Sequence, residues 1–264
     1  MNKDSANIIL ETRNLEIGYR KKKSTVCVAS EINLNIEPGE LTAVIGINGA
    51  GKSTLLKTLS GVIQNIKGQV IIKNKNIFTL TPSELSKHIG LVLTEQAVSK
   101  NLSVIELVAL GRQPYTNWIG TLSRKDLKRI SQALDMVNIE SLKNKKCHEL
   151  SDGQFQKVMI ARAIAQDTSI IILDEPTTHL DMYHTAYVLK LLKKLSSKTG
   201  KAILFATHEI NLALQLCDKL VIIKDKKTLF GKPADLIASG NLNDLFPDEL
   251  IEFDKNSSSF RIKK

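Results

Sequence analysis

Long apolar runs are missing from this chain of 264 residues. No stretch of about 18 or more uninterrupted apolar residues occurs, so no segment reads as a bilayer-spanning helix. The opening MNKDSANIIL has too short an apolar stretch for a secretory signal. Cysteine is scarce: Cys27, Cys147 and Cys217 are odd in number and lack CxxC spacing. That speaks against a metal site, fits a reducing cytoplasm, and makes the three thiols small core or surface residues. Aromatics make up only 5% of the chain and do not interleave with its lysine clusters. A stacking platform for single-stranded nucleic acid is therefore not expected. There is no internal repeat and no low-complexity segment longer than SSS near the end.

What is present is an ordinary globular composition, 42% hydrophobic and 24% charged, with length enough for a substantial core. Lys and Arg number 37 against 27 Asp and Glu, giving the formal charge of +10. The lysines are scattered over RKKK (20–23), KNKN (73–76), KNKK (143–146) and KDKK (224–227). Solvated loops on a basic surface account for them.

Short β-like runs at 8–18, 31–36, 41–46 and 69–73 suggest an opening antiparallel portion. LTAVIG (41–46) runs into a glycine loop and a helix expected from about Lys52 to Ser60, the strand–loop–helix unit of a phosphate-binding α/β fold. IIIL (170–173) and AILFAT (202–207) are nearly all apolar, as parallel strands covered on both faces must be, and LVII (220–223) adds another strand. Between them, VIELVAL (104–110), DLKRISQALDMV (126–137) and QFQKVMIARAIA (154–165) show helical apolar spacing. This places a helical insertion, about 96–166, in an α/β core. After Gly231 the pattern predicts helical pieces in PADLIAS and NLNDLF and a terminal strand in SSFRI.

The glycine loop is Gly46, Ile47, Asn48, Gly49, Ala50, Gly51, Lys52, Ser53 and Thr54, which matches G-x4-G-K-[ST]. Its glycines let consecutive N–H groups converge on phosphate oxygens. Lys52 supplies a mobile positive charge for the outer phosphates, and Ser53 a hydroxyl ligand for Mg²⁺. The acidic complement is IIILDE: Asp174 ends a buried strand, where a metal ion would give its charge a partner, and Glu175 is placed to polarise an attacking water. A second anion site is suggested by LSDGQ (150–154), a polar turn at the start of an amphipathic helix.

Together with HLD (179–181) and ATH (206–208), these motifs resemble, in order and over nearly the whole chain, those of ATP-binding-cassette ATPases. The family signature is LSGGQ, and Asp152 stands here in place of its first glycine. The resemblance implies a single P-loop NTPase domain over 1–264, an α/β core with an antiparallel β subdomain and an inserted helical subdomain, binding ATP and Mg²⁺. It implies a head-to-tail homodimer in which Ser151, Gly153 and Gln154 of one copy cap the γ-phosphate held by the other. Tyr19 resembles the aromatic that stacks on adenine; a half-buried strand tyrosine is its plainer reading. His208 resembles the switch histidine at the γ-phosphate, and Asp181 the aspartate that couples the two sites, while also suiting a helix start.

The family usually reads VLPQ where this chain reads VLTEQ (92–96). In-register matching puts Glu95 at the glutamine's place, with Gln96 the other candidate for a metal-facing residue. Glu95→Ala is expected to weaken the Mg²⁺ dependence of ATPase activity, and Gln96→Ala to do much less. The reverse ranking would move the register by one.

SVIELVALGRQPYTNWIG (103–120) is similar to the helical region of ATPases serving importers of ferric siderophores, haem and cobalamin, chiefly through Gly111, Arg112, Pro114 and Tyr115. The expected partners are a second copy, separately encoded membrane permease subunits and, indirectly, an extracytoplasmic substrate-binding protein, with no nucleic acid. The expected location is the cytoplasmic face of the plasma membrane, as a peripheral subunit. An exporter ATPase, and less so a soluble relative acting on nucleic acid, are the alternatives. Of Gln113–Trp118, the exposed members are expected near the permease, unless Tyr115 and Trp118 simply pin their loop.

Overall fold

The computed structural model describes residues 7–21, 24–93, 99–243, 245–246, 250–255 and 257–263. The first half opens with β1 (Leu10–Lys21), β2 (Ser24–Ile32), β3 (Asn35–Ile36), β4 (Leu41–Ile45), α1 (Lys52–Leu59), β5 (Lys67–Ile72), β6 (Lys75–Asn76), α2 (Pro82–Leu85) and β7 (Ile89–Val92). A helical stretch follows: α3 (Val104–Ala109), a 3-10 turn over Leu110–Tyr115, α4 (Arg124–Met136) and α5 (Asp152–Ala165). The chain then returns to β8 (Ile170–Leu173), α6 (Met182–Thr199), β9 (Ala202–Ala206), α7 (Ile210–Leu216), β10 (Lys219–Lys224), β11 (Lys227–Gly231) and α8 (Pro233–Ala238). It closes with the hairpin β12 (Ile251–Asp254) and β13 (Ser259–Ile262).

The central sheet has the order β11-β10-β4-β9-β8-β7, parallel except for β11. Its inner strands β4, β9 and β8 are fully buried and almost wholly apolar because both faces are covered, and the period-two alternation sorts their side chains between two cores. Val44, Ile170, Ile172, Leu204 and Val221 pack with α1 and the antiparallel sheet β2-β1-β5-β6. Ala43, Ile45, Ile171, Leu173, Ile203 and Phe205 face the helices on the other side. Among the described residues, no helix is long and apolar enough to cross a membrane.

The expected strand at 31–36 is instead split. Thr12 Oγ1 accepts from the Leu34 N–H and donates to the Ile32 carbonyl, both at 2.8 Å, so a side chain replaces the ladder where β2 gives way to β3. NLNDLF does not become a helix: residues 241–243 and 245–246 form turns and bends that bury Leu242 and Leu245. The helices expected at 126–137 and 154–165 start two residues earlier. Ser123 and Ser151 cap them, each accepting from the N–H three residues on while Asp126 and Gln154 reach back to the serine's own N–H.

The markers that carried the branch resemblance have structural roles in the helical stretch. A side-chain carbon on Gly111 would fall 2.3 Å from the Arg162 carbonyl oxygen, so α5 requires glycine there. Arg112 is buried, donating to Asp126 Oδ1 on α4 and to the Ala165 carbonyl on α5, each at 2.8 Å, with its guanidinium 4.0 Å from the centre of the Tyr115 ring. Tyr115 thus pins its loop. Trp118 does not, being 94% exposed.

Candidate functional site

The ends of β4, β8 and β9 lie side by side, and the chemistry collects there. β4 is fully buried and leaves the sheet at Gly46, where a side-chain carbon would stand 2.6 Å from the Ile223 carbonyl oxygen. At the loop's other end Gly51 has φ 108, and a methyl group would meet Val28 at 2.3 Å. Residues 46–51 are thereby drawn down between β2 and β10, with the first turn of α1 aimed out of the loop. That turn carries no acidic residue and no side-chain cap, so its amides suit an anion.

Lys52 is buried and donates to the Gly46 and Ile47 carbonyls at 3.0 and 3.3 Å. Burial holds its ammonium below the usual lysine range, opposed by Glu175 and Asp174. A phosphate would offer this desolvated cation a charged acceptor in place of two neutral ones. Tyr19, on β1, is bound through its hydroxyl to Thr54 Oγ1 at 2.9 Å, and 46% of it remains exposed. Its ring is tethered to the phosphate-loop helix yet open to a ligand.

Ser53 donates to Asp174 Oδ1 at 2.8 Å. Burial raises the Asp174 carboxyl above its usual range, with the Ser53 bond acting against that. The two oxygens form a hard-donor pair in a desolvated place, which suits a small divalent cation that keeps several of its waters. Glu95 and Gln96 fall outside the described residues.

Glu175 adopts a left-handed backbone, φ 48, which costs a non-glycine residue on the order of 1–3 kcal/mol and clusters at functional sites. Its Oε1 lies 2.6 Å from His208 Nε2, and Oε2 accepts from Thr178 Oγ1 at 3.3 Å. An ionised carboxylate only accepts, so Nε2 is the donor this contact calls for. Successive acids at the end of β8 therefore serve two neighbours: Asp174 the serine of the phosphate loop, Glu175 the histidine after β9.

LSDGQ forms the N-terminus of α5. Ser151 Oγ accepts from the Gln154 N–H at 3.3 Å, and Gln154 Oε1 from the Ser151 N–H at 3.2 Å. Asp152 and Phe155 line a crevice shared with Asp174 and Glu175, but its volume is about 140 Å³. Sites for small molecules run from roughly 300 Å³ upward. Within one chain, then, this crevice is too small to hold a nucleotide between α5 and the acidic pair. Asp181 caps α6, accepting from the His184 N–H at 2.8 Å, and the His184 ring returns to the same carboxylate.

Of the residues picked out in the sequence, Lys52, Ser53, Asp174, Glu175 and His208 are linked to one another at the ends of β4, β8 and β9, by the Ser53–Asp174 and Glu175–His208 contacts and by the pull of both acids on Lys52. Ser151, Gly153, Gln154 and Asp181 lie instead at the starts of α5 and α6. The Glu175–His208 contact was not deducible from spacing, since 33 residues separate the two. Thr178 and His184 were missed altogether. Nothing in the linear text marks a histidine three residues past a helix cap, and Thr54, picked out with the phosphate loop, gains a bond to Tyr19 that its place there does not announce.

Residues 29–178 match the family model described as ABC transporter. An uncharacterized ABC transporter ATP-binding protein of Methanocaldococcus jannaschii is 40% identical over 97% of this chain and 87% of its own. A probable siderophore transport system ATP-binding protein of Bacillus subtilis is 36% identical over 90% and 85%. Among solved structures, a metal-chelate type ABC transporter in an inward-facing conformation superposes with a TM-score of 0.79 at 30% identity, covering 97% of this chain and 96% of that one. A dimeric ATP-binding cassette bound to ADP and Pi in a post-hydrolysis state gives 0.73 at 30%, covering 85% and 99%.

Proposed function

Because the chain belongs to the ABC transporter family, as a nucleotide-binding subunit that hydrolyses ATP, we propose that it energises uptake of a ferric siderophore through a separate membrane permease. The observation that carries the catalytic part is the pairing of Ser53 with Asp174 and of Glu175 with His208 through two successive acids at the end of β8. The loop amides and Lys52 hold the outer phosphates. Ser53 and Asp174 would hold Mg²⁺, which when bound neutralises charge on the phosphate oxygens, with Glu95 or Gln96 as a further ligand. Glu175 orients the attacking water and His208 keeps it beside the γ-phosphate. The small volume of the crevice beside α5 favours a site completed by a second copy, whose Ser151 and Gly153 cap the same phosphate while Asp181 links the two sites. Tyr19 offers the ring for adenine.

The permease reading rests on a groove between the core and the helical stretch. Two cavities of about 500 and 370 Å³ share Pro82, Ser86, Arg162 and Gln166. Ile77, Phe78 and Leu85 line the first, and Leu110, Gln113 and Pro114 the second. The groove mixes polar and apolar lining and suits an amphipathic cytoplasmic helix of a permease, which would seat the subunit on the cytoplasmic face of the membrane. The exposed Trp118 belongs to the same loop as Gln113 and Pro114. Trp118→Ser is expected to leave the ATPase activity of the isolated subunit intact while abolishing cellular uptake of one iron–siderophore, measured with radiolabelled iron. Unchanged uptake of iron–siderophores, with the permease still bound, would sink this assignment.

A further inference from the structure

His184 joins two segments that the proposed mechanism treats separately. Its ring Nδ1 lies 2.9 Å from both Asp181 carboxylate oxygens, and its backbone N–H donates to Oδ1 at 2.8 Å. These bonds hold the Asp181 carboxyl below its usual range, the backbone one most strongly. The opposite edge of the ring lies against the first turn of α5. A side-chain carbon built on Gly153 would stand 3.0 Å from His184 Cδ2 and 3.7 Å from Nε2. Gly153 has no left-handed backbone to accommodate, so its bare Cα there answers to the imidazole beside it. Tyr183 meets the ring edge-on, with centroids 5.5 Å apart.

We propose that His184 is a positioning residue that couples the Asp181 loop to the first turn of α5, so that the phosphate-capping end of that helix and the dimer-crossing loop move as one piece. The inference rests on the two-copy site proposed above. Each copy would present α5 and the Asp181 loop to its partner's nucleotide together. Without the imidazole, Asp181 keeps the backbone bonds at the start of α6, and the α5 turn loses its neighbour. Closure of the dimer would then have to order two segments separately, an added entropy cost at the step that joins the copies.

The test uses the full chain in a Glu175→Gln background, where hydrolysis does not reset the dimer. Light scattering against Mg-ATP concentration gives the midpoint of dimer formation for that parent and with His184→Ala or His184→Asn added. His184→Ala is expected to raise the midpoint about tenfold, the equivalent of one hydrogen bond to a charged group. His184→Asn should recover most of this, because its amide nitrogen can donate to Asp181 from nearly the same place. Affinity of the monomer for a fluorescent ATP analogue and the melting temperature should not change, which a merely structural role would not predict. In the hydrolysing protein, the Hill coefficient for ATP should fall toward one with His184→Ala. An unshifted midpoint, or Asn behaving like Ala, would overturn the coupling while leaving the two-copy site intact. A parent that stays monomeric in Mg-ATP would remove the two-copy site, and the coupling with it.

Discussion

Glu175→Gln should lower ATP turnover by about 10²–10⁴-fold while leaving nucleotide affinity nearly unchanged. The carboxylate hydrogen-bonds to His208 and Thr178 and acts on Lys52 through charge alone, so its loss leaves Lys52, Ser53 and the amides that bind the nucleotide in place. The amide that replaces it matches the carboxylate in shape but cannot take a proton from water. ATP should therefore bind and stay, and a dimer should accumulate in Mg-ATP that is absent without nucleotide. Gel filtration with light scattering reads this directly. A monomer in both conditions would contradict the two-copy site, and turnover within a few-fold of the parent would remove Glu175 from its role. Lys52→Ala is the contrasting variant. It should fail earlier, at binding, because the cation aimed at the phosphates is gone.

A second large effect is expected far from the chemistry. Asp126→Ala should destabilise the protein by about 3–5 kcal/mol, since it leaves the Arg112 guanidinium buried without its counter-charge. Both side chains are nearly inaccessible, at 4% and 6% exposure, so solvent cannot take the partner's place. The Ser123 hydroxyl and N–H, together with Arg112, hold the Asp126 carboxyl below its ordinary range. A lowered acid contributes stability that is present above its unfolded pKa, near about 4, and that is lost as pH falls through the folded value. The gap between parent and variant should therefore be full at neutral pH and shrink as the solution is acidified below that range. Urea titrations at several pH values measure it. A gap that is small at neutral pH, or does not narrow in acid, would show that Arg112 has other support.

This arrangement also shows how far linear text reaches. Gly111, Arg112 and Tyr115 could be picked out as a family marker, but their reason could not. That reason is the contact of Gly111 with the Arg162 carbonyl and of Arg112 with Asp126 and Ala165, residues that the chain brings back from 14 and 53 positions away. The two early helix starts were legible after all, in the serine followed three residues later by Asp or Gln; hydrophobic spacing alone set them late because capping residues are polar. NLNDLF misled for the opposite reason. Its leucines have helical spacing, yet they plug the core from turns, because burial rewards apolar side chains whatever backbone delivers them.

Local signals were enough for the phosphate loop, the acidic strand end and the alternation of strands and helices. Each depends on a few adjacent residues: glycines that let the backbone tighten, an apolar run that must be covered on both faces, an acid placed where that run ends. Pairings across the sheet were not available in that form. Strand order puts β9 between β4 and β8, and that alone brings His208 to Glu175 and the acidic end of β8 to the phosphate loop. Packing of α6 against α5 sets the His184 ring at Gly153. Such contacts depend on close packing between elements distant in sequence, and a side chain's neighbours there are decided by the shape of the whole core and not by the residues beside it in the chain.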